Sequence, residues 1–303
     1  MTYQRQPAAV AVTTADRMLV VGADGAVDLF ERLDVDRAAA VWEALAVPLE
    51  LRELRRLSGA RGGRLAGWVE RLVARGVIVN GRRRGRRRPG GRPARQEGSG
   101  RCRHLVLGVA GSAAACFVEP FVRRLRAEFA TRLDVVLTAA AQRLVRPASL
   151  RGSGVRVWRD LWEQRAGVRV PHVELATAAE LVLVLPATAH TIFRIAHAAC
   201  SDLLSLVACA TEAPVILVPV MNPAMWAKPA VRRNVRQLRA DGRYIVEPGA
   251  GRTLATGAAV AVGGGPLDPA VLLSVMRAIA RVSRGARSED AGGARGHRGP
   301  TGD

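Results

Sequence analysis

The chain has 303 residues, 49% of them hydrophobic, and a formal net charge of +20. That apolar content suffices for the core of one large or two smaller domains and excludes a wholly disordered chain. No apolar run reaches the roughly 18–20 uncharged residues of a membrane span, and the start, MTYQRQPAAVAVTTADR, lacks a basic segment followed by a long apolar one, so a cytoplasmic protein with no membrane partner is expected.

Residues 1–80 read as a small winged-helix-like α+β domain. MLVVGADGAVDLF sets two short apolar runs around Ala-Asp-Gly, a hairpin signal. Three helical patterns follow. Asp36 is placed to cap RAAAVWEALA, LELRELRRLSG stops at Gly59, and RLAGWVERLVARG carries Leu65, Trp68, Val69, Leu72 and Val73 on one stripe before Gly76 and a VIV strand.

Residues 81–102 read as a disordered linker. Between Arg82 and Arg103 ten arginines stand against one glutamate, with Gly and Pro interspersed, so almost half of the excess charge lies where no apolar periodicity can offset the ordering entropy. Such a run binds phosphates without selectivity, and a solvated spacer or a contact with an acidic peptide competes with nucleic acid. Its lack of aromatic residues removes base stacking and disfavours nucleic acid as a partner. The Gly- and Arg-rich stretch 283–303 reads as a disordered tail. The four cysteines, Cys102, Cys116, Cys200 and Cys209, form no CxxC pair and lie at no zinc-like spacing from histidine, so neither a metal nor a disulfide framework is expected.

Residues 103–282 alternate strand and helix. Strands are predicted at 105–112, 133–138, 155–158, 181–187, 215–220 and 244–248. Their apolar runs are continuous, the mark of strands buried on both faces of a parallel sheet covered by helices. Such sheets bind ligands beyond the carboxyl ends of their strands, where the strand order reverses.

The loops at those ends carry the candidate chemistry. After the first strand, Gly108-Val-Ala-Gly111-Ser112 runs into a helix, and small residues there let the backbone approach an anion while Ser112 adds a hydroxyl. A tight turn with Ser112 as a simple cap accounts for the same residues. Thr138 ends the second strand; two hydroxyls at neighbouring strand ends favour a shared phosphate, and the absence of a GxGxxG fingerprint disfavours a dinucleotide. Val-Pro-His172-Val-Glu-Leu lies just before a short helix, and histidine is the side chain suited to take a thiol proton near neutral pH. The fourth strand ends in Pro186-Ala187-Thr188-Ala-His190-Thr191 and the fifth in Pro219-Val-Met221-Asn222-Pro-Ala-Met225-Trp226. Asn222 offers donor and acceptor groups for a carboxylate or amide, and Met225 with Trp226 offers an apolar, polarizable wall; a buried Asn turn with core Met and Trp accounts for the same residues. His197 suits packing or a subunit contact.

In this order, GxxGS, PHVEL, PATAHT and PVMNPAMW resemble the flavin-containing cysteine decarboxylases, the family of phosphopantothenoylcysteine decarboxylase and the epidermin-type peptidyl-cysteine decarboxylases, over about 103–250. The resemblance implies a flavodoxin-like (Rossmann-like) three-layer parallel sheet, with FMN as cofactor and FAD as the alternative. It implies His172 as catalytic base and Asn222 and Met225 at the substrate carboxylate. It places the flavin against Gly111, Ser112, Thr138, Pro186, Ala187, Thr188, His190, Thr191 and Met221. His190 stands where the family's PASANT motif has asparagine. A family clamp cysteine, which in the phosphopantothenoylcysteine branch helps return the enethiol to a saturated thiol, has no counterpart in Glu247-Pro-Gly-Ala-Gly-Arg-Thr-Leu-Ala-Thr-Gly. The resemblance therefore points to the peptidyl branch, whose enethiol closes into the aminovinyl-cysteine ring of a lantibiotic-type, ribosomally made peptide. The implied partners are a precursor peptide with a C-terminal cysteine and further copies of the chain, as a homotrimer or homododecamer. Gly249, Gly251 and Gly257 suit a hinged lid. The first unit looks like small domains that capture leader peptides by strand addition, while a DNA-binding or oligomerisation role has comparable weight. Coenzyme A biosynthesis is the alternative function, and a non-enzymatic DNA-binding flavoprotein a further one.

Overall fold

A computed structural model describes residues 2–6, 9–22, 26–58, 63–80, 101–165, 167–249, 251–252, 259–260 and 268–293. Most of the expected linker, residues 81–100, and part of the expected lid, 250 and 253–258 with Gly257, lie outside the described residues.

In chain order come β1 (Thr2–Arg5), β2 (Val10–Thr14), β3 (Arg17–Val21), β4 (Val27–Phe30), α1 (Val35–Ala44), β5 (Leu49–Glu50), α2 (Leu51–Ser58), α3 (Gly63–Ala74) and β6 (Ile78–Asn80). Next are β7 (Cys102–Val109), α4 (Val118–Glu128), β8 (Ala130–Leu137), α5 (Ala139–Gln142), α6 (Pro147–Arg151), β9 (Arg156–Trp158), α7 (Pro171–Ala178), β10 (Leu181–Ala187), α8 (Ala189–Ala196) and α9 (Leu203–Ala210). The chain continues through β11 (Val215–Pro219), α10 (Pro223–Trp226), α11 (Pro229–Ala240), β12 (Tyr244–Val246), β13 (Gly251–Arg252), β14 (Ala259–Val260) and α12 (Pro269–Gly293).

Six strands in the order β9-β8-β7-β10-β11-β12 pair in parallel. Their sequence steps outward from β7 in one direction and from β10 in the other, the doubly wound arrangement whose switch point lies between β7 and β10. Alternate residues of each strand bury on opposite faces. Leu105, Leu107, Leu181 and Leu183 join one core with α4 and α12, while Val106, Val182 and Val184 join the other with α7, α8, α9 and α11. The three-layer parallel sheet expected from the apolar runs is therefore present.

The N-terminal strands are not separate from it. β2 pairs antiparallel with β12, Thr13 opposite Ile245 and Val12 opposite Val246, and the hairpins β2-β3-β4 extend the sheet to nine strands. One face of this extension, including Val12 and Leu19, completes a core of the parallel sheet; the other, including Met18 and Val20, packs with Trp42 and Trp68 in a third core. A boundary at residue 80 thus divides the chain in sequence but not in its hydrogen bonding. β1, β5 and β6 form a small sheet of their own.

Two local expectations are corrected. Asp34, not Asp36, caps α1 by accepting from the Arg37 backbone N–H at 3.1 Å, because Asp34 holds the extended conformation that a cap requires while Asp36 lies inside the first turn. The stretch from residue 283 is not all tail: α12 runs on to Gly293, since Ala, Arg, Glu and Ser in this stretch tolerate helix despite the glycines. Residues 294–303 lie outside the described residues. Cys102 is buried on β7, and burial pushes its thiol up to about 12, whereas Cys116, Cys200 and Cys209 are exposed. Among the described residues no helix is long and apolar enough to cross a membrane.

Candidate functional site

A cleft of about 630 Å³ opens at the carboxyl ends of β7, β8, β10 and β11, over the switch point. Its volume falls within the roughly 300–1,000 Å³ of small-molecule sites.

Each strand end contributes through a local device. After β7, the Ser112 side chain accepts from the Ala114 N–H at 3.4 Å. After β8, Thr138 Oγ1 accepts from the Ala141 N–H at 3.3 Å and starts α5. After β10, Thr188 Oγ1 accepts from the Thr191 N–H at 3.2 Å and lies 3.1 Å from Thr191 Oγ1. A hydroxyl that accepts a backbone N–H keeps its own hydrogen to donate, so these caps also line the cleft with donors.

Gly111 sits between two of these loops. A Cβ built on it would stand 2.3 Å from Ala140 Cβ and 3.0 Å from the Ala140 carbonyl carbon, so only glycine lets the β7 and β8 loops close together. The cradle for an anion is thus made of backbone and small side chains, with Ala139, Ala140 and Ala189 at its lining. These residues fit a flavin: a phosphate end matches the hydroxyls, and Val220, Met221 and Met225 provide apolar surface for a ring system.

Eight of the expected residues, Gly111, Ser112, Thr138, Thr188, His190, Thr191, Met221 and Met225, line this one cleft. Pro186 and Ala187 lie in buried β10 beneath it. Asn222 caps α10: its Oδ1 accepts from the Ala224 N–H at 2.7 Å, which leaves the amide NH₂ as its donor. Trp226 does not form the expected wall. It is 2% exposed and its indole N–H turns away to Glu43, so among the described residues Met225 alone of that pair lines the cleft. His172, expected just before the helix, is instead the second residue of α7, because Pro171 suits the first helical position; it is half-buried and does not line the cleft of its own chain. Val170 and Val173, on either side of it, are exposed apolar groups. His197 ends α8 stacked on Phe193, ring centroids 4.5 Å apart.

The polar lining residues not anticipated are Arg194, Ser201 and Asp202. Arg194 Nη1 and Asp202 Oδ2 pair at 2.5 Å on the cleft lining. Asp202 also forms a capping box with Ser205 at the start of α9. The signal was present, since Asp-x-x-Ser before the apolar run Leu203–Ala210 marks a helix start.

Residues 93–264 match the Flavoprotein family. The coenzyme A biosynthesis bifunctional protein CoaBC of Escherichia coli (strain K12) is 38% identical over 148 residues, 48% of this chain and 36% of that protein. The match thus spans about a third of the relative's own length. Among solved structures, a PPC decarboxylase carrying a cysteine-to-serine mutation and complexed with pantothenoylaminoethenethiol superposes with a TM-score of 0.52 at 25% identity, over 58% of this chain and 97% of that one. The FMN binding protein AtHal3 superposes with a TM-score of 0.50 at 26% identity, over 58% and 96%.

Proposed function

The chain belongs to the flavoprotein family, and from that premise we propose that it is a flavin-dependent cysteine decarboxylase that uses FMN and acts on the C-terminal cysteine of a precursor peptide. The observation that carries this reading is the convergence of eight loop residues from four strand ends on one cleft.

When bound, the flavin supplies the two-electron oxidation of the cysteine side chain that makes its carboxylate labile. The chain's own groups do the rest. Ser112, Thr138 and Thr188 would hold the cofactor phosphate through their hydroxyls, and Met221 would offer apolar surface to its ring. His172 takes the thiol proton. With its Oδ1 engaged by Ala224, Asn222 presents its NH₂ to the substrate carboxylate. With its two electrons passed to the oxidant, Cβ of the substrate becomes a C=S carbon, and carbon dioxide then departs as from a β-keto acid, the electron pair delocalising into sulfur to give an enethiolate that takes a proton to become the enethiol. Because His172 lies outside the cleft of its own chain, beside exposed Val170 and Val173, we place it in the cleft of a neighbouring copy, within the homotrimer or homododecamer that the family resemblance implies.

The peptide is preferred over phosphopantothenoylcysteine because residues 247–257 contain no cysteine to assist the return of the two electrons to the enethiol. A sheet edge supports it further: among the described residues β4 ends the nine-stranded sheet, and an extended leader segment can add to such an edge. The relation to CoaBC favours the second reading, coenzyme A biosynthesis. Incubation with a cysteine-terminated peptide and, separately, with phosphopantothenoylcysteine, followed by mass spectrometry, decides between them. The peptide should lose carbon dioxide and two hydrogens while the small substrate stays intact; the reverse pattern establishes the second reading.

The cradle itself is testable. Gly111→Leu should weaken FMN binding by more than about tenfold, equivalent to about 1.4 kcal/mol, with secondary structure unchanged by circular dichroism. Wild-type flavin content in that variant would show that the β7 loop does not hold the cofactor.

A further inference from the structure

The first unit reaches the substrate turn directly. Asp36 pairs with Arg239 at 2.6 Å and Glu43 with Arg232 at 2.6 Å. The two acids lie seven residues apart on α1 and the two arginines seven apart on α11 in the opposite order, so the helices run antiparallel and are strapped together over about 10 Å of each.

The two straps differ. Arg239 is buried and also bonds Thr13 and Glu247 at 2.8 and 2.5 Å; burial alone would lower its pKa, but Glu247 and Asp36 outweigh it and hold the group above its ordinary value. That end is a clamp of buried Arg239 between Asp36 and Glu247. At the other end, Glu43 Oε1 accepts from both Arg232 and the Trp226 indole N–H, the latter at 2.9 Å, and the Arg232 guanidinium lies 4.9 Å from the Trp226 ring centre.

Trp226 closes α10, the four-residue turn that Asn222 caps and from which Met225 enters the cleft. A single turn has no stability of its own. Its orientation is set by whatever holds its buried tryptophan, and a buried indole N–H needs a partner. That partner comes from 183 residues away.

We infer that Glu43 is a positioning residue for the substrate turn: through Trp226 and Arg232 it fixes Asn222 and Met225 at the cleft, which makes the first eighty residues part of the catalytic unit. This rests on the decarboxylase reading of the cleft. The test uses full-length protein with three variants, Glu43→Ala, Trp226→Phe and, as a control strap that does not touch α10, Asp36→Ala. Glu43→Ala should raise KM for a cysteine-terminated peptide by about tenfold with bound flavin unchanged, and should speed amide hydrogen exchange at 222–228 but not in β7 or β8. Trp226→Phe should reproduce both effects, and the double variant should add little to either. Asp36→Ala should leave KM and exchange at 222–228 as in the wild type. Equal effects of Glu43→Ala and Asp36→Ala, or unchanged exchange at 222–228 in Glu43→Ala and Trp226→Phe, overturn the inference. If the wild-type protein decarboxylates nothing, the decarboxylase reading fails, and the exchange comparison still decides whether Glu43 holds the turn.

Discussion

Replacing His172 with asparagine should leave the protein yellow and fully folded while turnover falls by about 10²–10⁴, the ordinary share of a general base. The reason lies in the substrate. A thiol with a pKa near 8.5 is only a few per cent ionised at neutral pH, whereas the reaction needs electron density on sulfur when hydride leaves Cβ. Imidazole takes that proton near pH 7; a carboxamide of similar size keeps the hydrogen bonding and cannot. Because the cofactor cradle is made of the loop backbones and the hydroxyls of Ser112, Thr138, Thr188 and Thr191, to which His172 adds nothing, flavin content should be untouched. Full activity in the variant would remove His172 from the mechanism. Mixing His172→Asn with Asn222→Ala protein and allowing subunits to exchange should restore activity, since some clefts then receive His172 from one copy and Asn222 from another. No recovery after demonstrated exchange would place both groups in the same chain's site.

The second large effect concerns stability. Asp134→Ala should destabilise the fold by about 3 kcal/mol, near the lower end of the range for breaking a buried ionic contact, and lower Tm by about 6–12 °C. Asp134 is 0% exposed on β8, yet it accepts from His104 Nε2 at 2.6 Å, from Trp158 Nε1 at 2.8 Å and from two Arg156 nitrogens at 2.7 and 2.8 Å. These bonds tie β7, β8 and β9 across one face of the sheet. Without the carboxylate, the Trp158 and His104 N–H groups remain buried and unpaired. The Arg156 side chain is 38% exposed and can turn to water, which keeps the cost from being larger. Among the described residues His104 Nδ1 has no hydrogen-bond partner. A Tm within 2 °C of wild type by calorimetry would show that the network adds nothing to the fold.

Much of this was legible because the chemistry sits at strand ends. A run such as LVLVLPATAHT announces a buried strand and then the polar residues that its end presents, so Thr188, His190 and Thr191 could be placed without coordinates. Asp202 carried a capping signature just before α9. The contacts between distant parts of the chain were not legible. The pairing of Thr13 with Ile245 joins strands separated by most of the sequence, and no periodicity encodes a partner at that range. Trp226 read as a wall of the site because its neighbour Met225 is one; its bond to Glu43 depends on α1 lying against α11, which follows from the β2–β12 pairing. The position of His172 was not legible either, because a motif names a residue and its spacing but not whether its side chain faces the cleft of its own chain.

The most direct test is mass spectrometry of the small molecule released when the purified, yellow protein is denatured. FMN in stoichiometric amount is the expected result. A colourless protein that also fails to take up added FMN would contradict the account.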